Sequence, residues 1–242
     1  MKKLILTAAA FALSASFALA QDVVRMGTEG AYPPYNFIND AGEVDGFERE
    51  LGDELCARAG LTCTWVINDW DSIIPNLVSG NYDTIIAGMS ITSERDEVID
   101  FTEDYIPASP SSYVALAADA DTMGGVIAAQ TATIQAAYIA ASGATLVEFA
   151  TPDETIAAVR NGEADAVLAD HDYLAPIVAE SGGALVFAGD RVDDIGGGVG
   201  MGIRESDGEL REKFNVAIAS MKADGTLNTM LIKWFGDEIG TY

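Results

Sequence analysis

Apolar positions along the chain keep two rhythms in alternation. Residues 23–28, 63–67, 83–87, 126–130, 145–149 and 166–170 are short apolar or β-branched runs, the length and composition of buried strands. Between them lie helical patterns. Residues 46–59 place Phe47, Leu51 and Leu55 at i, i+4 and i+8, with Gly60 as the stop. Residues 71–78 read as a short helix capped by Asp71 with Gly80 after it, and residues 133–141 as another, ended by Gly143. Thr151-Pro152-Asp153-Glu154 has the N-cap, N1 proline and N3 glutamate of a capping box.

Strands alternating with helices over short loops predict an α/β fold with mainly parallel sheets. The pattern runs twice without a visible internal repeat, which predicts two lobes of similar build. Residues 207–235 read as two closing helices around Asp224-Gly225, with Leu210, Phe214, Ile218 and Met221 on one face. Residues 196–202 carry five glycines, too many for a helix, and lack the Lys-Ser/Thr of a phosphate loop. They read best as an extended crossover between lobes.

The first twenty residues stand apart. Lys2 and Lys3 precede an apolar run over residues 4–19, and Ala18-Leu19-Ala20 is a small-x-small cleavage pattern. The run is short for a bilayer span, so a signal peptide cut after Ala20 is expected, with a mature chain that is not membrane-inserted. Gln21 rather than Cys follows the cut, which argues against a lipid anchor. Without Lys2 and Lys3, 11 basic residues face 38 acidic ones, a net charge of −27. Such a surface repels nucleic acid and anionic membranes. It suits cationic solutes, and equally it suits plain solubility. Cys56 and Cys63 are the only cysteines, in a chain sent to an oxidising compartment, and read as a disulfide staple. With one histidine and no second cysteine pair, no metal site and no cofactor is expected.

Catalytic patterns are sparse. There is no nucleophile elbow and no paired histidine, and His171 beside Asp170 is a weak acid–base pair, because neighbours at a strand end face opposite ways. No catalytic residue is assigned. Binding patterns are richer. Tyr32-Pro33-Pro34-Tyr35-Asn36-Phe37 is a stiffened aromatic loop directly after the first strand. Trp70 follows the next strand. Carboxyl ends of parallel strands line one crevice, so Tyr32 and Trp70 can face each other across a ligand, although both also suit an ordinary core. The segment from Ala87 through Gly88, Ser90 and Ser93 to Arg95 leaves a strand through small residues and enters a short helix with Ser93 at its cap. Backbone N–H groups, the Ser90 hydroxyl and the Arg95 fork suit a carboxylate, while Arg95 alone would equally suit a surface ion pair.

These segments, with Gly27 through Phe37, Asp45-Gly46-Phe47-Glu48, Cys56 through Trp65, Ile86 through Arg95, Asp165 through Asp170, and the closing Asp224-Gly225-Thr226 and Lys233-Trp234-Phe235-Gly236, resemble the periplasmic polar and basic amino-acid-binding proteins of ABC import systems. That group comprises the lysine/arginine/ornithine, histidine, glutamine and opine binders. The resemblance covers the whole mature chain. It implies a type II periplasmic-binding-protein fold, two lobes joined by two hinge strands near residues 105–109 and 195–199. Lobe 1 would hold residues 21–106 and 200–242, and lobe 2 residues 107–199.

The resemblance also implies roles. Arg95 would bind the ligand α-carboxylate, with Ser90, backbone near Gly88 and the Thr133 amide. Asp170 would take the α-ammonium. Tyr32 and Trp70 would sandwich the side chain, Glu29 would meet its cationic end, and Gln135 would sit nearby. Cys56 and Cys63 match the staple of the basic amino-acid binders. Ala87, Gly88 and Ile134 depart from the hydroxyl residues of the lysine/arginine/ornithine branch. The expected protein is a periplasmic monomer that closes on arginine, ornithine, lysine or an opine, with glutamine the neutral competitor, and delivers it to an inner-membrane ABC permease. The rival class is a periplasmic dehydratase of prephenate-like acids on the same fold, and an amino-acid sensor module is a third reading.

Overall fold

The computed structural model describes residues 23–193 and 195–242; the expected signal peptide and its cut after Ala20 lie outside them. The chain opens with β1 (Val23–Thr28), then a small antiparallel patch of β2 (Ala31–Tyr32), β3 (Asn36–Ile38) and β4 (Val44–Asp45). There follow α1 (Phe47–Ala59), β5 (Thr62–Ile67), α2 (Ile73–Val78), β6 (Thr84–Ile85), α3 (Ser93–Asp96) and β7 (Asp100–Ile106). The middle of the chain is β8 (Ser111–Ala115), β9 (Val126–Gln130), α4 (Ile134–Ala140), β10 (Thr145–Phe149), α5 (Pro152–Asn161), β11 (Ala166–Asp170), α6 (His171–Glu180) and β12 (Val186–Val192). It finishes with β13 (Val199–Ile203), α7 (Gly208–Asp224) and α8 (Thr226–Phe235).

Two five-stranded sheets result, in the orders β5-β1-β6-β13-β7 and β10-β9-β11-β8-β12. In the first, β5, β1 and β6 pair in parallel while β13 is antiparallel to both its neighbours. In the second, β10, β9 and β11 are parallel and β8 is antiparallel to both its neighbours. The odd strand of each sheet is the one the chain forms on crossing from the other. Two lobes of one build, each mainly parallel and flanked by helices, therefore stand side by side.

The helical stripe read in α1 is the seam of the first lobe. Phe47, Leu51 and Leu55 are fully buried, and Phe214, Ile218 and Met221 of α7 with Leu227 and Leu231 of α8 close over them. Burial of side chains this size stabilises by about 1.5–3 kcal/mol each. Gly46 must be glycine: its φ is 114°, and a Cβ there would lie 2.6 Å from the Tyr35 carbonyl oxygen. The disulfide Cys56–Cys63 ties α1 to the strand it precedes, with Cα atoms 6.3 Å apart. The capping box of α5 forms with both its hydrogen bonds.

Three local expectations need correction. Asp71 does not cap α2; Trp70–Ser72 form a 3-10 turn, and Ser72 precedes the helix without a side-chain cap. Thr92, not Ser93, caps α3, its hydroxyl accepting from the Arg95 amide at 3.2 Å. And α4 stops at Ala140, short of Gly143, with Ala141 as its right-handed cap. The glycine run starts in a bend at Gly196, exchanges backbone hydrogen bonds with Ile91 through Gly197 and Gly198, and enters β13, whose five residues are all buried; a Cβ on Gly200 would come within 2.9 Å of Ile91.

Candidate functional site

A cavity lies between the two lobes, lined from both. All nine expected ligand-binding residues line it, together with Ala87, Gln130 and Ile134. The first lobe contributes the ends of three parallel strands. Glu29 follows β1 and Tyr32 lies in β2, Trp70 begins the turn after β5, and Gly88 and Ser90 follow β6, with Arg95 in α3 beyond. The second lobe contributes Gln130 at the end of β9, Thr133 and Gln135 around the start of α4, and Asp170 at the end of β11. Strands that stop together leave their last residues on one rim, which is how residues far apart in sequence meet.

Arg95 and Asp170 are the charged poles. The Arg95 guanidinium donates from Nη1 to the Ser90 carbonyl at 2.8 Å and from Nη2 to the Ala132 carbonyl at 3.2 Å, and lies over the Trp70 ring, 5.4 Å from its centroid. Burial brings its pKa down to about 10, against the pull of Asp170 and Glu94, so it stays cationic near neutrality. Asp170 Oδ1 accepts from Gln135 Nε2 at 2.8 Å, and Oδ2 from the Tyr32 hydroxyl at 2.9 Å. Burial first, then the nearby Asp172, push the Asp170 carboxyl up to about 6; the Tyr32 and Gln135 hydrogen bonds and Arg95 oppose this.

Glu29 is the third ionisable group of the lining. Glu29 Oε1 accepts from Gln130 Nε2 at 2.6 Å, and the same nitrogen donates to the Ala150 carbonyl at 3.1 Å. Desolvation raises Glu29 to about 7, with the Gln130 bond opposing and Asp69 adding to the rise. A carboxyl this easily protonated is only partly charged near neutrality in the empty cavity, so an incoming cation gains its full attraction only by ionising it. Tyr32 stacks on Tyr173 with centroids 4.1 Å apart, so one ring face is already covered from the second lobe. Thr133 uses its hydroxyl locally, donating to the Gln130 carbonyl at 2.7 Å and accepting from the Ala136 amide at 3.1 Å. Tyr32–Asp170, Arg95–Ala132 and Glu29–Gln130 each join one lobe to the other, so the cleft is closed.

Gln130 escaped the sequence reading. It ends a parallel strand as surely as Trp70 follows one, and strand-end position was the signal that would have found it. Nothing in the residue type itself pointed there.

Two matching α/β lobes closed on a cavity with opposed charges define a solute-binding protein of two-lobed architecture. The chain belongs to the bacterial extracellular solute-binding proteins, family 3, whose family model matches residues 24–237. It is 32% identical over 237 residues to the lysine/arginine/ornithine-binding periplasmic protein of Escherichia coli K12, covering 92% of this chain and 91% of that one. Among solved structures it is similar to a periplasmic His/Glu/Gln/Arg/opine family-binding protein from Silicibacter pomeroyi in complex with lysine. The identity there is 80% and the TM-score 0.89, over 90% of this chain and all of that one. An ancestral amino-acid-binding protein described as a precursor of cyclohexadienyl dehydratase matches at 28% identity and a TM-score of 0.77, over 88% and 95% of the two chains. No helix among the described residues is long and apolar enough to cross a membrane.

Proposed function

We propose that this protein captures a cationic L-amino acid, arginine, ornithine or lysine ahead of opines and histidine, by hinge closure in the periplasm, and delivers it as a monomer to an ABC permease of the inner membrane. The observation that carries the reading is Arg95 and Asp170 at two poles of one closed cavity with Glu29 on a third wall. A zwitterionic α-amino acid carries one anion and one cation at its head, which matches the poles, and a positive tail matches Glu29. Arg95 with Ser90, backbone near Gly88 and the Thr133 amide take the α-carboxylate. Asp170 takes the α-ammonium, Tyr32 and Trp70 bracket the side chain, and Gln135 braces Asp170. The lysine complex named for the 80% identical structure supports a basic ligand.

In this scheme lobe 1 spans about residues 21–106 and 200–242, lobe 2 spans 107–199, and the two crossovers act as the hinge. The ligand docks first on lobe 1, and closure adds Asp170 and Thr133 while excluding water, which strengthens both ion pairs. Calorimetry of ligand-stripped protein against the common amino acids tests it: arginine, lysine or ornithine should bind far more tightly than glutamine. Tighter binding of glutamine would overturn the cationic assignment. A second reading, dehydration of a prephenate-like acid, draws on two carboxyl groups that titrate near neutrality, as a general acid must. Turnover of prephenate or arogenate would establish it; none is expected.

A further inference from the structure

Beneath the cavity lies a carboxylate that the binding scheme leaves unused. Glu48 stands in the first turn of α1 and is fully buried, as are Asn36 and Tyr105 beside it. Three donors converge on it. Asn36 Nδ2 donates to Oε2 at 2.7 Å, the Gly88 amide to Oε1 at 2.6 Å, and the Tyr105 hydroxyl also to Oε1. An ionised carboxylate is acceptor-only and can satisfy all three. Burying one is costly, and a well-packed apolar side chain often serves stability as well or better.

The donors belong to separate parts of the site. Gly88 lies in the turn that carries Ala87 and Ser90 to the cavity. Asn36 turns its other end to the backbone, where Oδ1 accepts from the Gly30 amide at 2.7 Å, and Gly30 stands between Glu29 and Tyr32. Tyr105 lies near the end of β7, where the chain leaves for the second lobe. One side chain thus fixes the turn behind the carboxylate grip relative to the turn behind the cation wall.

We propose that Glu48 is a positioning residue for the amino-acid site, holding the Gly88 and Gly30 turns at the spacing one ligand needs to reach both. This rests on the amino-acid-binding reading above. The chemistry demands a carboxylate. The Gly88 N–H can only donate, and Asn36, oriented by the Gly30 N–H it accepts, presents its NH₂ to Glu48. A carboxamide at position 48 would set its own NH₂ against one of these donors. Exchanging the groups, with Asn36→Asp and Glu48→Gln together, restores a full set of partners.

Calorimetry of the full chain with lysine and arginine, beside thermal melts of the ligand-free protein, tests this. Glu48→Gln should weaken both ligands by roughly tenfold or more, the scale of an unmet buried polar group. The double exchange should return affinity to within about threefold of the original, the coupling expected of two residues in one hydrogen-bond network. A lower melting temperature with unchanged affinity in Glu48→Gln would make the residue purely structural and overturn the proposal. Should Glu48→Gln fail to fold, Asn36→Ala carries the test, since it cuts only the arm to Gly30. Weaker binding is expected there, and unchanged affinity overturns the proposal. An unmodified protein that binds no amino acid would sink the functional reading itself, a result distinct from either.

Discussion

The two lobes share one strand order and end it in opposite chemistry. In each, three parallel strands are followed by the antiparallel crossover strand and one more. Equivalent strand ends therefore face each other across the cleft. β1 leads to Glu29 and β9 ends in Gln130, and these two side chains are hydrogen-bonded at 2.6 Å. β6 leads into the turn of Gly88 and Ser90 with Arg95 beyond, and its counterpart β11 ends in Asp170. A duplicated scaffold thus carries a cation on one side and an anion on the other, the polarity of an amino-acid head group. The lobes also differ in bracing. The first holds its turns by the buried Glu48 network, the second holds its residues at strand ends and helix starts: Gln135 pins Asp170, and the Ala150 carbonyl pins Gln130.

Removing one pole breaks the comparison most severely. Arg95→Ala or Asp170→Ala leaves the ligand's opposite charge buried without its partner, at a cost of about 2–5 kcal/mol, or roughly thirtyfold to several thousandfold in affinity. Calorimetric titration reads this directly. Affinity that stays near the unmodified value in Arg95→Ala would refute the carboxylate role. Glu29→Gln comes next. It should cost arginine and lysine about tenfold or more while leaving glutamine nearly unaffected, because only the positive ligands lose a charge-assisted bond. Equal losses for all ligands would show that Glu29 shapes the wall rather than reading charge.

How much of this was legible beforehand differs between the lobes for physical reasons. β1, β9, β10 and β11 fall where their apolar runs predicted. β8 was missed because all five of its residues are buried between β11 and β12, so Ser111-Ser112-Tyr113 shows no alternation of faces. α6 was missed as well, since Pro176 interrupts its pattern. Asp71 looked like a cap by its place before an apolar stretch, but the 3-10 turn at Trp70 displaced the helix start. In the site, Arg95 and Tyr32 announced themselves by type and strand-end position. Glu48 appeared only as one letter of a Gly46-Phe47-Glu48 segment, because its three donors come from residues 36, 88 and 105.

Acidity sharpens the same contrast on a smaller scale. Glu29 on one side, raised from an ordinary 4.5 to about 7, and Asp170 on the other, raised to about 6, both need to be ionised to meet positive groups. A cationic ligand must displace the proton on Glu29, so its affinity should fall by up to about tenfold per pH unit below 7, more steeply below 6. The stability of the ligand-free fold runs the other way. A group whose folded pKa is raised contributes stability that is full below 4.5 and lost as pH rises through about 7. The ligand-induced rise in melting temperature should therefore be small at pH 5.5 and large at pH 8. A rise that is flat over this range would show that Glu29 does not face the ligand's charge.

The disulfide marks the last asymmetry, and the one that should matter least to the ligand. Cys56 and Cys63 staple α1 to β5 in the first lobe, and no free cysteine remains in the second. The bond closes a loop of only seven positions, so removing it should cost about 2–3 kcal/mol by the chain-entropy account. Cys56 lies on the buried face of α1 with Leu51 and Leu55, eight residues along the helix from Glu48. Replacing both cysteines by serine should lower the melting temperature while arginine affinity at 25 °C stays within about twofold, because stability lost by the unfolded-state route leaves native contacts in place. A clear loss of affinity instead would mean that the staple holds α1, and through Glu48 the two turns, in register. The first lobe's site would then depend on a brace that the second lobe's does not have.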